Sequence, residues 1–121
     1  MKLAEKAKLV DLTVEEIYEA FPDLIERFGQ RGKDKTAEDN YHHLDHLETA
    51  YQMDNGAFFL DYSRWLKNVL NSRGIGTEII IDNYERLIKS MDGLPFEDHN
   101  EKASYISYLK ESIDELSQPP K

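Results

Sequence analysis

Apolar residues along the chain recur mostly at three- and four-residue intervals, and short polar stretches rich in Gly, Pro, Asn and Asp interrupt them. That is the period of amphipathic helices, not the alternation of half-buried strands. The strongest stripe lies in residues 54–74, DNGAFFLDYSRWLKNVLNSRG, where Phe58, Phe59, Tyr62, Trp65, Leu66, Val69 and Leu70 follow helical spacing. An aromatic side chain can bury roughly 150–250 Å², so the other helices are expected to close on this one. Phe58, Tyr62, Trp65 and Val69 are the expected inward seam. Strand pairing through Ile79–Ile81, or a Trp65 open to water, would contradict it. Asp54-Asn55-Gly56 supplies a turn and an N-cap, and Gly74 a C-terminal stop.

The remaining elements follow from the same pattern. Residues 2–11 predict a short helix with Leu3, Ala7 and Val10 on one side. Thr13-Val14-Glu15-Glu16 fits a capping box opening a helix with Val14, Ile17, Tyr18 and Phe21. Pro22, which lacks an N–H, should break it before a second short piece, residues 22–28. GQRGKDK, residues 29–35, reads as a solvated loop; its glycines and lysines lack the GxxxxGK[ST] spacing of a phosphate cradle. From Thr36 to about Met53 a helix should turn Ala37, Asn40, Tyr41, Leu44, Leu47 and Tyr51 inward, set His43 at the arc's edge, and point Asp39, His42, His46 and Met53 outward.

Gly76-Thr77 restarts the chain into a helix carrying Ile79, Ile80, Tyr84, Leu87, Ile88 and Met91 and ending at Gly93. Leu94-Pro95-Phe96 predicts an extended crossing, with Phe96 plugging the end of the core. A last helix, residues 100–116, should face Ala103, Ile106, Leu109, Ile113 and Leu116 inward, with Tyr105 and Tyr108 at its flanks; residues 118–121 read as a frayed tail or a linker. Short connections favour antiparallel neighbours. The fold expected is therefore all-α: a four- to five-helix, mostly antiparallel bundle with a short N-terminal helical pair.

Composition narrows the partners. The 121 residues suit one domain with one core. Without cysteine there are no disulfides, thiolate zinc sites or Fe–S clusters. A formal charge of −9 opposes binding to a phosphate backbone, so nucleic acid is not an expected partner. The N-terminal MKLAEKAKLVDL has no signal-peptide core and no run approaches the roughly 20 apolar residues of a membrane span. A soluble, cytoplasmic protein is expected.

Candidate chemistry is sparse. Asp39, His42 and His46 stand at i, i+3 and i+7, one outward line of a helix, where two imidazoles and a carboxylate could share a divalent metal. The HExxH order of zinc proteases is missing. His43, at the arc's edge, predicts a partly buried imidazole bonded to a neighbour such as Asp61 or a tyrosine, whose charge would respond to pH beside a carboxylate. With Asp61 and Trp65 it could instead serve a cofactor, a tetrapyrrole above all, or a ligand stacked on Trp65. Asn68 continues that flank. No nucleophile elbow, Ser/His/Asp order or isolated carboxylate pair suggests catalysis.

The stretch Tyr41–Leu44, then His46-Leu47-Glu48-Thr49-Ala50, Asp54, Phe58, Tyr62, Trp65-Leu66-Lys67, Leu70, Gly74 and Leu87, resembles the helical-bundle region N-terminal to the cobalamin-binding domain of regulatory proteins. The resemblance covers residues 25–116. The Trp-x9-Glu-His of light-sensing cobalamin caps is replaced by Ile75-Gly76 after Trp65, and the cobalt-ligating DxHxxG is missing. What the resemblance implies is a helical regulatory or protein-docking module, free-standing or acting in trans on another protein. The function expected first is thus a non-enzymatic module working through a protein partner or as a homodimer with a tyrosine-rich face. A small-ligand or metal sensor on the same bundle is the alternative.

Overall fold

A computed structural model describes residues 1–118; the expected tail at 118–121 lies almost wholly outside the described residues. Five helices follow one another: α1 (Leu3–Ala20), α2 (Asp23–Met53), α3 (Gly56–Ser72), α4 (Thr77–Asp92) and α5 (His99–Leu116). The fold is an all-α helical bundle. Ile79–Ile81 are helical, because Ile80, Asn83, Tyr84, Leu87 and Met91 bury one continuous face of α4 and a strand could not place them together. Among the described residues no helix is long and apolar enough to cross a membrane.

Contacts fix the helix directions. Lys6 meets Asp45 and Lys33 meets Glu15, so α1 and α2 run antiparallel. His43 on Tyr62 and His46 on Phe58 make α2 and α3 antiparallel as well. Tyr84 near Ser112, through Ser63, and Leu94 near Lys102 do the same for α4 and α5. Ser63 bonded to Ser112 and Arg64 to Glu115 set α3 and α5 parallel. One buried cluster draws on all five helices, with Leu9, Ile17, Leu47, Phe59, Leu87 and Leu109 among its centre.

The ends behave as their residues dictate. Pro22 separates α1 from α2. Asn55 caps α3 by accepting from the Ala57 N–H, and Asp54 before it takes a left-handed φ of 49°. Gly74, φ 80°, ends α3. Asp98 caps α5 from the Asn100 and Glu101 N–H groups, and Phe96 is buried edge-on against Tyr105.

Several expected elements are corrected. Residues 3–20 form one helix, so there is no short N-terminal pair. Thr13 lies in its middle, buried beside Leu9, Val10, Val14 and Ile17, and caps nothing; its hydroxyl is the one buried side-chain polar atom without a partner among the described residues. GQRGKDK is helical. The only break is Gly29, at φ 66° and ψ −165°, which divides α2 into a leading segment, 23–28, and a long arm, 30–53. Gln30 donates to Asp34, Thr36 donates back to the Gly32 carbonyl and meets the Tyr18 hydroxyl, and Lys33 reaches Glu15 over the Tyr18 ring. These contacts hold the arm on α1 where the local sequence suggests a turn.

The aromatic helix is rotated from its expected setting. Its buried residues are Phe59, Tyr62, Ser63 and Leu66; Phe58 and Val69 are half-buried, and Trp65 is 58 % exposed. On α5, Tyr105 is buried and Ala103 exposed. Polar pairs account for both shifts. Ser63 enters the core because its hydroxyl meets those of Tyr84 and Ser112, at 2.9 and 3.0 Å. Tyr105 enters because its hydroxyl donates to Glu101.

Candidate functional site

The three residues expected to share a metal do not converge. His42 is exposed, its Nε2 3.8 Å from Glu38. His46 lies against α3, not on an outward line: its ring stacks on Tyr62 at 3.8 Å and on Phe58 at 5.7 Å. Its Nδ1–H donates to the His42 carbonyl at 2.7 Å. Asp39 is half-buried with Lys35 at 3.8 Å; burial raises its carboxyl above the usual range, against the pull of Lys35, His42 and Arg73. No group of three metal-ligating side chains occurs among the described residues.

His43, Asp61 and Trp65 likewise do not form one site. His43 is 3 % exposed, edge-on to the rings of Tyr62 and Tyr84. Burial, with His46 and His42 adding to it, pushes its pKa down to about 3, so the ring is neutral. Burial raises the Tyr62 hydroxyl above its usual range, so it keeps its proton, and it is hydrogen-bonded to His43 Nδ1 at 2.6 Å. The expected tyrosine partner is present. The expected carboxylate is not: Asp61 is exposed on the far flank, paired with Arg64 at 3.1 Å. Trp65 lies on the surface beside Tyr62.

What the fold does assemble is a cavity where the end of α1, the break in α2, the end of α3 and the start of α4 meet. Its volume is about 180 Å³ and it opens to solvent on one side. Ile17, Leu24, Phe28, Leu70, Ile79 and Ile80 give it apolar walls. His43 and Asn83 contribute polar edges, Asn83 being held in a reciprocal amide pair with Asn40 (2.9 and 2.7 Å). Lys35, Asp39 and Arg73 stand at its rim and are shared with an adjoining groove of about 240 Å³ that adds His42, Trp65 and Val69.

Two glycines shape the cavity. Gly29 breaks α2 ahead of its long arm, and the leading segment before it supplies Leu24 and Phe28 to the cavity wall; Gly74 turns the chain from α3 towards α4. Arg27 on the leading segment donates to the Gly74 carbonyl at 3.3 Å, tying the two together. Sequence reasoning registered Arg73 and Lys35 only as neighbours of a stop and a loop, and missed Asn83 and the Ser63–Tyr84–Ser112 group. The available signal was the pair of glycines. The cavity can hold an apolar body, present it to a neutral imidazole, and meet a polar head with two cations and one carboxylate. No known protein family, curated protein or solved structure matches this chain.

Proposed function

We propose that this chain is a non-enzymatic helical regulatory module whose input is a small molecule with an apolar body held in the cavity between α1, α2, α3 and α4. The half-enclosed apolar cavity is the observation that carries this. Protein interiors pack to near-crystal density. An apolar-walled recess open to water leaves Leu24, Phe28, Leu70 and Ile79 in reach of solvent, and an apolar occupant would remove that surface from water. A tetrapyrrole does not suit it: the volume falls below the roughly 300 Å³ at which drug-sized sites begin. The resemblance to helical regions beside cobalamin-binding domains is in keeping with a module that passes its state to another protein.

Titration of the full chain with toluene, followed by amide NMR, tests this. Saturable shifts centred on Phe28, Leu70, Ile79 and Ile80 are expected, with a rise in Tm. Absence of saturable shifts at those residues would remove the proposal. A second function, docking of a protein or a second copy, is supported by the exposed Trp65 in the adjoining groove, and its test is the state of association in solution.

A further inference from the structure

We propose that the occupant of the cavity is a small monocarboxylic acid, with an apolar body of about one aromatic ring and its carboxylate held at the rim by Arg73. The inference rests on the cavity being a binding site and goes on to name what binds.

Size sets the body. A dry cavity of about 150 Å³ lined by Leu, Ile and Phe accepts benzene, so about 180 Å³ takes a ring and little more. The rim sets the head. Lys35 is already compensated, 3.6 Å from Glu38 and 3.8 Å from Asp39. Arg73 has no carboxylate within ion-pair distance among the described residues, although the chain carries an excess of acids. Its place at the C-terminal end of α3 favours a cation there, and its exposed guanidinium, which attracts Asp39 at longer range, has no protein hydrogen-bond acceptor among the described residues. A planar guanidinium fork fits a carboxylate in two parallel hydrogen bonds. Asp39 sets the number of charges, since its carboxyl on the same rim repels a second anionic group and disfavours a diacid. The overall negative charge works the same way, opposing polyanions more than monoanions.

The experiment is calorimetric titration of the full chain with three probes of one shape: phenylacetate, 2-phenylethanol and 2-phenylethylamine. The variant Arg73→Gln changes an exposed side chain, and circular dichroism checks its fold. Phenylacetate is expected to bind roughly tenfold or more tighter than the alcohol, as for hydrogen bonds to a charged group. R73Q should erase that preference, bringing phenylacetate down to the affinity of the alcohol for the same variant. Equal affinity for acid and alcohol would overturn the carboxylate assignment while leaving the cavity a binding site. So would tighter binding of the amine, which would give the choice to Asp39. Binding of none of the three would overturn both this inference and the function it rests on.

Discussion

His43 sits among Tyr62, Tyr84 and the walls of the cavity with no carboxylate bonded to it, and its charge state follows from that setting. Its ordinary value of 6.5 falls to about 3 on folding, so the unfolded chain binds a proton that the folded one does not. Stability from this residue is fully present above pH 6.5 and is lost as pH falls from there towards 3. At pH 5 the loss is about 2 kcal/mol, at 1.36 kcal/mol per pH unit. Urea unfolding of the wild type and His43→Gln at pH 7 and pH 5 should therefore show a drop about that much smaller in the variant. Equal drops would mean that His43 titrates normally. The sequence suggests a partly buried imidazole bonded to Asp61 or a tyrosine; the ring is fully buried and the partner is Tyr62. That Tyr62 would take the role and Asp61 would face away was not legible, because the setting of α3 depends on Ser63. A serine in an apolar stripe looks like a flaw until Tyr84 and Ser112, on other helices, are placed beside it.

At the scale of elements, the apolar stripes, the cap at Asn55 and the stop at Gly74 were readable because they are local; the cap at Asp98 was not read. Nor was the segment 29–35. Its glycines and charges carry turn chemistry, and only Tyr18, Glu15 and the rest of α1 make it a helix. The two glycines of this segment act differently. Gly32 is helical, and a Cβ there would overlap the Cβ of Phe28; Gly29 has open space around it but a φ of 66° with ψ −165°, a combination almost confined to glycine. Gly29→Ala should thus cost about 1–3 kcal/mol from backbone strain alone, and loosen the wall formed by Leu24 and Phe28. Gly93→Ala, at an ordinary φ of −84°, should stay within about 0.5 kcal/mol of wild type. Denaturant unfolding of the two variants separates the cases; equal stabilities would show that α2 runs through Gly29 without a break.

For the whole molecule, five amphipathic stripes in a cysteine-free chain of this length left little choice but a helical bundle. The cavity could not be read, because Phe28, Leu70 and Ile79 belong to three helices and share no motif. The seam expected through Trp65 fails with its exposure, and the surface it leaves bears on assembly. A charge of −9 on each copy repels a second copy, while Trp65 and Val69 offer an apolar contact with Lys35, His42 and Arg73 around it. Salt screens the repulsion and spares the apolar contact. If copies dock through this face, sedimentation velocity should show a dimer fraction that grows between low and high ionic strength and vanishes in Trp65→Ala. A wild-type chain that sediments as a monomer at every salt and protein concentration would exclude the homodimer.

The paired amides of Asn40 and Asn83 carry a consequence of their own. Leucines and isoleucines on facing helices are nearly interchangeable, so a bundle held by them alone tolerates sliding of one helix along another. A slip of one turn, about 5.4 Å, would here part both amides and break two buried hydrogen bonds at once. The pair therefore ties α2 to α4, two helices that do not pack directly on each other, at one relative height, and the cavity between them keeps its shape with that tie.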